Sequence, residues 1–256
     1  MVIDGRKIAA SIIADLKNTE APTKHLAAVL VGNSPASASF VAQKEKVAKE
    51  LGVNFHIVKL EAKCAELVLI AALEELGRDK NCGGVILQLP LPAYMDREHV
   101  IRSVPSGKDV DGLHNDRILP PAAGVVEKII GELKLKTENL NVAIVGMGFL
   151  VGKPIAKWFE GKAKKLIALD ISDDLTQIKN ADVVILGAGK AGLVKPSQLK
   201  NDAVVIDFGY SRGADGVLHG DFDQNGAGDI TYTPTPGGTG PILVAELFRN
   251  FYALNP

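Results

Sequence analysis

Residues 141–154, NVAIVGMGFLVGKP, have the types and order that binding of a dinucleotide pyrophosphate requires. A short β-branched run is followed by Gly146, Gly148 and Gly152, and a helix is predicted over 154–160. Glycines let the backbone approach phosphate groups, and a helix N-terminus supplies unpaired N–H groups and a partial positive charge. The spacing is G-x-G-x-x-x-G instead of G-x-G-x-x-G, and glycine-rich turns between strand and helix also occur without ligands.

Three polar side chains from separate stretches of the chain are candidates for a second site. Lys44 follows Phe40 by four residues on a predicted helix, Gln88 ends an apolar run, and Asp111 lies in the sequence KDVDG. Ligands of open parallel sheets bind beyond the carboxyl ends of the strands, where all three residues could lie. Lys44 and Asp111 each have an ordinary alternative role, since a lone lysine is usually a surface charge and an aspartate often shapes a turn. Gln88 favours a site over packing, because burying an amide without partners costs about 1–3 kcal/mol.

The elements that would position these residues alternate between strands and helices. Strands are predicted at 26–31, 54–60, 83–89, 142–145, 165–169, 183–186, 203–208 and 229–231. Helices are predicted at 4–17, 37–51, 65–76, 96–104, 125–133, 154–160, 174–180 and 240–252. This alternation indicates an α/β protein with parallel sheets and right-handed crossovers. Proline and glycine at 119–124 and 234–240 predict a domain boundary and a return crossing.

Composition excludes several classes of function. The chain has 256 residues, 46% of them hydrophobic, which is enough for one large domain or two small ones. The formal net charge is −1, so no net field favours nucleic acid or an anionic membrane. Cys64 and Cys82 lack zinc-type spacing, and no metal-ligating cluster is visible in the sequence. No apolar run approaches the roughly 20 residues of a membrane span and no signal-peptide pattern is present, so we expect a cytoplasmic protein.

Together these stretches resemble the bifunctional methylenetetrahydrofolate dehydrogenase/methenyltetrahydrofolate cyclohydrolase family. The resemblance covers nearly the whole chain. Its motifs are IDGRKIA at 3–9, VGNSPAS at 31–37, Lys44, QLPLP at 88–92, KDVDG at 108–112, VGKP at 151–154 and PTPGGTGP at 234–241. The order of QLPLP, KDVDG and PGG-x-GP is highly specific, so a chance match is excluded for practical purposes.

The resemblance implies a two-domain α/β fold. A folate-binding catalytic domain with a parallel sheet would contain residues 1–121, completed by the C-terminal helix at 240–256. A Rossmann-type NAD(P)-binding domain would contain residues 122–239, with folate in the cleft between the domains. The implied activity is hydride transfer from 5,10-methylenetetrahydrofolate to a nicotinamide cofactor, followed by hydrolysis of the methenyl product to 10-formyltetrahydrofolate. Family members are commonly homodimers, so we expect a homodimer.

The resemblance also implies roles for individual residues. Lys44 matches the catalytic lysine, Gln88 the glutamine that orients it, and Asp111 the acid that holds the pterin. A carboxylate can accept two adjacent N–H groups of a pterin edge, and a lysine can manage the proton of an attacking water if its pKa approaches the working pH. The substrate-binding candidates are Phe40, Leu87, Leu89, Pro236, Gly237 and Gly238. The cofactor-binding candidates are Gly146, Met147, Gly148, Gly152, Asp170 and Tyr210.

Two departures from the family concern the folate side and the linker. Phe40 stands where the family usually has tyrosine, so stacking on the pterin is retained but the hydroxyl group is lost. We therefore expect cyclohydrolase activity to suffer more than dehydrogenase activity. The family's P-C-T-P near the hinge is PPAA at 120–123, which removes polar and rigid parts of the linker.

A third departure concerns the dinucleotide. The family's glycine loop usually reads G-R-S, and its arginine contacts the 2′-phosphate of NADP, whereas this chain has Gly146-Met147-Gly148. Asp170 follows the next predicted strand, where the family usually has a His/Ser or Arg pair. An acid at this place typically accepts a ribose hydroxyl of NAD and would repel a 2′-phosphate. We predict a preference for NAD over NADP of at least ~2–3 kcal/mol, or roughly 30–100-fold. The alternative is that Asp170 only caps the following loop.

Two other functions stay open. A non-catalytic folate- or dinucleotide-binding regulator is compatible with Phe40 and the altered phosphate loop, but a pure binder would need neither Lys44 nor Gln88. A dehydrogenase without cyclohydrolase activity is compatible with the missing hydroxyl at Phe40.

Overall fold

The structure, a computed structural model, describes residues 1–115, 117–213 and 216–256, and of Pro35 and Ala36 it describes the backbone only. Two compact units divide the chain. One contains Ala10–Pro121 and Val244–Pro256, and the other contains Met1–Ala9 and Ala122–Leu243. Each unit has its own parallel sheet and helices, which confirms the prediction of a two-domain α/β fold. None of the described helices is long and apolar enough to cross a membrane.

The unit that contains Lys44, Gln88 and Asp111 has a three-stranded parallel sheet in the order β2-β1-β3. β1 (His25–Val31) and β3 (Cys82–Leu87) are buried along their whole length, as their continuous apolar sequences predict, whereas β2 (Phe55–Leu60) is partly exposed. The helices of this unit are most of α1 (Gly5–Lys17), α2 (Pro35–Leu51), α3 (Glu66–Arg78), α4 (Arg97–Arg102) and most of α7 (Thr239–Leu254).

The C-terminal helix α7 packs directly on this three-stranded sheet. A Cβ atom at Gly84 of β3 would lie 2.7 Å from Cδ2 of Phe251 and 2.8 Å from Cδ1 of Leu26. Such distances are too short for a real Cβ contact, so only glycine allows Phe251 to approach the strand this closely. The last helix therefore completes the core of the unit that begins at Ala10, as the family resemblance implied.

The other unit has a five-stranded parallel sheet in the order β10-β7-β6-β4-β5. Its strands are β4 (Asn141–Val145), β5 (Lys165–Leu169), β6 (Val183–Leu186), β7 (Val204–Asp207) and β10 (Thr231–Tyr232). Its helices include α5 (Pro121–Glu132) and α6 (Gly152–Phe159), and β8 (Ser211–Arg212) pairs with β9 (Leu218–His219) outside the sheet. Counted within the sheet, the order is 2-1-3-4-5, which reverses direction between β4 and β6. Doubly wound sheets bind ligands at this switch point, where the glycine-rich segment begins.

Several bounds differ from the sequence prediction. The strand predicted at 229–231 is Thr231–Tyr232, and the helix predicted at 174–180 is a 3₁₀ helix, Leu175–Asn180. α6 starts at Gly152, before the predicted position 154. α2 starts at Pro35 instead of 37, because the Ser34 hydroxyl accepts a hydrogen bond from the Ser37 N–H at 3.1 Å and caps the helix earlier.

The first residues of the chain also differ from the expected division. The predicted folate domain began at residue 1, but Met1–Ala9 belong to the unit with the five-stranded sheet. The N–H of Ile3 donates to the carbonyl of Tyr232 at 2.8 Å, and the N–H of Tyr232 donates to the carbonyl of Met1 at 3.0 Å. Through these bonds the first residues of the chain pair in parallel with β10. The assignment of folate to one unit and dinucleotide to the other stays a prediction.

Candidate active site

Lys44 and Gln88 meet through a direct hydrogen bond. Nζ of Lys44 on α2 donates to Oε1 of Gln88 at 3.0 Å. Gln88 follows β3 and continues its pairing with β1, because its N–H donates to the carbonyl of Val29 at 2.9 Å. Its Nε2 donates to the carbonyl of Leu89 at 2.8 Å, and the residue is 7% exposed. The amide of Gln88 is thus fixed at the carboxyl end of the strand, and its oxygen orients the lysine amine.

Asp111 shares the electrostatic environment of Lys44. Burial lowers the pKa of Lys44, and the nearby Asp111 carboxylate partly opposes this decrease. Burial raises the pKa of Asp111 to about 6, while Lys44 lowers it and Asp109 raises it further. Burial thus makes both groups easier to neutralise than they are in water. Perturbed pKa values in an amine and a carboxylate whose charges act on each other are typical of acid–base sites.

The other charged residues of KDVDG hold the loop in place. Lys108 donates three hydrogen bonds from Nζ to the carbonyl groups of Leu76, Gly77 and Asp79 at 2.7, 2.9 and 2.6 Å, at the end of α3. The fully buried Asp109 accepts the N–H of His114 at 3.0 Å. Its Oδ1 atom is buried and has no hydrogen-bond partner among the described residues. Lys108 and Asp109 therefore act on the shape of the loop, and Asp111 is the acid whose charge acts on Lys44.

Three of the remaining folate-side candidates neighbour Lys44 or Gln88 in the same unit. Phe40 lies one helical turn before Lys44 on α2 and is partly exposed. Leu87 is the last residue of β3 and is 3% exposed, so its side chain belongs to the hydrophobic core. Leu89 follows Gln88 and is partly exposed.

The glycine-rich segment follows β4 in the other unit. Gly146 has a φ angle of 96°, and a Cβ there would lie 2.5 Å from the carbonyl carbon of Gly187. A Cβ at Gly152 would overlap the carbonyl oxygen of Gly146. Both glycines are thus required by packing of the loop between β4, β6 and α6. Gly148 differs, because nothing lies within 4 Å of its Cβ position. Gly148 is exposed and Met147 is partly exposed, so packing gives no reason for glycine at position 148.

Asp170 lies beside Gly146 at the carboxyl edge of the five-stranded sheet. β4 pairs with β5 so that Val145 is opposite Leu169, and the N–H of Gly146 donates to the carbonyl of Leu169 at 2.8 Å. Asp170 is the next residue and is exposed. Its Oδ1 accepts the N–H of Ile171 at 3.0 Å, and its own N–H donates to Oδ2 of Asp173 at 2.6 Å. Asp170 therefore shapes the turn after β5, and its role toward a ribose stays a prediction.

A pair of buried aspartates in the same unit was not predicted from the sequence. Asp221 accepts the N–H groups of Ala188 and Gly189 at 2.7 and 3.0 Å, which fixes the loop after β6 that packs on Gly146. Asp207 accepts the N–H groups of Gly209 and Phe222 at 2.7 and 3.0 Å, and burial raises its pKa to about 6. The signal that identifies this pair is the sequence D-F-G at 207–209 followed by G-D-F at 220–222.

Tyr210 and the PGG segment lie in the unit of the glycine loop. Tyr210 is 38% exposed and precedes Ser211, whose hydroxyl donates to the carbonyl of Gly189 at 3.0 Å. Pro236 is exposed, and Gly237 has a φ angle of 101°. Gly238 is buried, and a Cβ at Gly5 would overlap its carbonyl oxygen. The first glycine of α1 and the second of PGG therefore have a packing reason to be glycine.

Comparisons with known proteins agree with this arrangement. The sequence model of "Tetrahydrofolate dehydrogenase/cyclohydrolase, catalytic domain" matches residues 3–111, and that of the NAD(P)-binding domain of the same family matches residues 120–255. Bifunctional protein FolD of Helicobacter pylori is 32% identical over 98% of this chain and 93% of its own length.

Two solved structures of this kind are also similar. The bifunctional enzyme FolD of Campylobacter jejuni has a TM-score of 0.94 at 28% identity, over 100% of this chain and 98% of its own. The methylenetetrahydrofolate dehydrogenase-cyclohydrolase of Trypanosoma brucei, complexed with NADP cofactor and inhibitor, has a TM-score of 0.92 at 25% identity, over 99% and 96%.

Proposed function

The chain belongs to the tetrahydrofolate dehydrogenase/cyclohydrolase family, and from this premise we propose the roles of its residues in both reactions. The substrate is 5,10-methylenetetrahydrofolate, which is oxidised to the 5,10-methenyl form and then hydrolysed to 10-formyltetrahydrofolate. The observation that carries the assignment is the hydrogen bond of 3.0 Å between Lys44 and Gln88 in the field of Asp111. A surface lysine would have neither a buried amide partner nor a lowered pKa.

Asp111 and Phe40 bind the pterin in this proposal. The ionised carboxylate of Asp111 accepts two adjacent N–H groups of the pterin edge, and the ring of Phe40 stacks on the pterin face. With a pKa of about 6, Asp111 is ionised at neutral pH and loses this binding mode in acid. Burial of the carboxylate strengthens each bond it makes, because little water competes for its oxygen atoms.

Lys44 manages charge and protons at the one-carbon unit. Removal of hydride from the methylene carbon leaves a cationic N–C–N group on the folate. Burial lowers the pKa of Lys44, which favours the neutral amine more than in a lysine exposed to water and so reduces its repulsion of this cation. In the hydrolysis, water attacks the methenyl carbon and gives a proton to the Lys44 amine. The hydroxyl group of this adduct then loses its proton and becomes the formyl oxygen as the bond from the carbon to N5 breaks. N5 takes up one proton, the formyl group stays on N10, and one proton is released overall.

The dinucleotide is held by the segment after β4 in this proposal. Gly146, Met147, Gly148 and Gly152 would bind the pyrophosphate, and a bound nicotinamide dinucleotide supplies the hydride acceptor. Tyr210 and the PGG segment are assigned to the nicotinamide side and to the folate side on the family resemblance alone.

We expect NAD to be the preferred dinucleotide. Asp170 next to Gly146 supports this choice, since a carboxylate there accepts ribose hydroxyl groups and repels a 2′-phosphate. Steady-state kinetics of the purified enzyme with both dinucleotides tests it. A kcat/KM at least roughly 30-fold higher for NAD agrees with the proposal, whereas a higher value for NADP contradicts it and leaves Asp170 as a turn residue.

The loss of a hydroxyl at Phe40 supports a weaker cyclohydrolase. Phe40→Tyr should raise the rate of methenyl-folate hydrolysis more than the rate of dehydrogenation. Equal effects on both rates would show that this hydroxyl has no special part in hydrolysis.

The experiment that tests the assignment as a whole follows absorbance. Methylene-folate and NAD mixed with the protein should produce reduced nicotinamide and methenyl-folate, and the second should then decay. No change in absorbance with either dinucleotide would favour the regulator, and a lasting methenyl signal would favour a dehydrogenase without hydrolysis. A homodimer and a cytoplasmic location stay predictions from the family, and light scattering of the purified protein tests the first.

A further inference from the structure

Asn250 on α7 makes contacts that the proposed reactions do not yet use. It is 5% exposed, and its Nδ2 donates to the carbonyl of Val110 at 3.0 Å and to the carbonyl of Leu119 at 2.9 Å. These carbonyl groups lie before and after the segment that carries Asp111. Asparagine is a poor helix former, and a buried amide is costly without partners, so the two bonds give it a specific purpose in this helix.

The bond to Val110 acts on Asp111 through one rigid peptide. The carbonyl of Val110 and the N–H of Asp111 belong to the same planar unit. A hydrogen bond that fixes this carbonyl therefore fixes the plane of the Val110–Asp111 peptide, which includes the Cα atom of Asp111. A rotation of that plane would turn the carboxylate away from Lys44, and errors of about 1 Å at a site already reduce activity strongly.

Other contacts also hold the segment around Asp111, and the backbone of Asp111 itself interacts with the Asp109 carboxyl group. Lys108 ties the segment to the end of α3, and Asp109 pairs with Val85 at the edge of β3. Gly112, with a φ angle of 63°, packs against Pro120, because a Cβ there would lie 3.2 Å from Cγ of Pro120. Asn250 completes these anchors from α7, the last helix of the chain.

We infer that Asn250 is a positioning residue for Asp111: by bonding to the carbonyl groups of Val110 and Leu119, it sets the direction in which the acid meets the pterin. This inference rests on the proposed function, because it takes Asp111 as the group that binds folate. Asn250 itself touches neither folate nor dinucleotide in this account.

The test replaces Asn250 by aspartate, which keeps the size of the side chain but loses both donors and places oxygen against two carbonyl oxygens. Asn255→Asp is the matched control. Asn255 directly follows the same helix and also donates two bonds, to the carbonyl groups of Gly83 and Phe251 at 3.0 and 2.9 Å. Asn250→Ser, which adds no charge and keeps a hydroxyl donor, replaces the aspartate variant if that variant does not fold.

Two readouts separate positioning from general damage. Hydrogen–deuterium exchange should become faster in peptides that cover 109–115 in the Asn250 variant, and in peptides that cover β3 in the Asn255 control. The KM for methylene-folate should rise about tenfold, equivalent to about 1.4 kcal/mol, with little change in the KM for the dinucleotide. On an Asp111→Asn background, the Asn250 substitution should raise the folate KM no further.

The outcomes distinguish failure of this inference from failure of the proposed function. If wild-type protein has no activity, or Asp111→Asn leaves the folate KM unchanged, the role of Asp111 is wrong, and exchange at 109–115 still reports whether Asn250 holds the loop. If Asp111→Asn raises the folate KM but the Asn250 variant does not, Asn250 does not position Asp111. Three other results also overturn the inference. They are equal increases in the KM for folate and for dinucleotide, additive effects of Asp111→Asn and the Asn250 substitution on the folate KM, and the same hydrogen–deuterium exchange pattern in the Asn250 variant as in Asn255→Asp.

Discussion

Replacing Gln88 by glutamate tests the Lys44 site with a minimal change of shape. In the native protein, Nζ of Lys44 lies 3.0 Å from a neutral amide oxygen, and in Gln88→Glu the same place carries a negative charge. At that separation, unit charges attract by ~1.4 kcal/mol in water and by ~5.5 kcal/mol at an effective dielectric constant of ~20. One pKa unit corresponds to ~1.36 kcal/mol, so the pKa of Lys44 should rise by roughly 1–4 units.

The assay is the pH dependence of methenyl-folate hydrolysis, with the uncatalysed rate subtracted at each pH. Hydrolysis uses the neutral amine of Lys44, so the rate should increase with pH as the amine loses its proton. In Gln88→Glu this increase should move upward by at least about one pH unit, and the rate at neutral pH should fall about tenfold or more.

Gln88→Met is the control for loss of the amide without added charge. It should lower the rate, because Lys44 loses its orienting partner, but it should not move the pH dependence upward. If Gln88→Glu hydrolyses methenyl-folate with the pH dependence of the native protein, Lys44 is not the group that titrates in this reaction, and the proposed role of the contact is wrong.

Three further changes have defined outcomes. Folate binding through Asp111 should be half of its maximum near pH 6 and should decrease as the pH falls, because the pKa of Asp111 is raised to about 6 and only the ionised form accepts pterin N–H groups. Asp111→Asn should raise the folate KM and remove this dependence. If binding by this variant still decreases in acid, another group causes the decrease. Asp170→Asn should lower the ratio of kcat/KM for NAD to kcat/KM for NADP by about tenfold. Asp173→Asn, which changes a neighbour in the same turn, is the control. If both variants lower this ratio equally, Asp170 acts only on the turn. Gly220→Ala should destabilise the protein by about 1–3 kcal/mol, because the new Cβ would overlap Oδ2 of Asp207. Its Tm in thermal unfolding should be lower than that of Gly107→Ala, since nothing lies within 4 Å of the Cβ position at Gly107. Equal Tm values of the two variants would contradict the packing argument.

Local sequence patterns predicted the frame of the site well. The apolar runs of β1 and β3 indicated buried parallel strands, and Gln88 was identified because a polar residue directly after such a run is unusual. The order of motifs was sufficient to expect that Lys44, Gln88 and Asp111 come together, although no periodicity relates them. The hydrogen bond between Lys44 and Gln88 and the burial that shifts the pKa values of Lys44 and Asp111 depend on the folded structure. The sequence alone does not show them.

Long-range hydrogen bonds account for most of what sequence reasoning missed. Lys108 donates to three carbonyl groups at the end of α3 and directly after it, and Asn250 donates to two on a segment more than a hundred residues earlier in the chain. The residues next to Lys108 and Asn250 in the sequence do not indicate these distant acceptors. The same holds for Asp221 and the loop after β6, and for Gly5, which is glycine because Gly238 passes beside it.

Helix and strand ends were also hard to predict where capping decides them. α2 starts earlier than the predicted position 37, because the Ser34 hydroxyl accepts the N–H of Ser37. The two-residue strands β8, β9 and β10 are too short to show alternation, so only pairing with neighbours defines them.

The most direct test of the central claim compares methenyl-folate hydrolysis by the native protein and by Lys44→Met at equal concentration. Methionine keeps much of the length of lysine but has no amine, so folate binding through Asp111 should persist. The rate should fall by about two to four orders of magnitude, as expected for loss of a general base. Hydrolysis by Lys44→Met at the native rate would contradict the account.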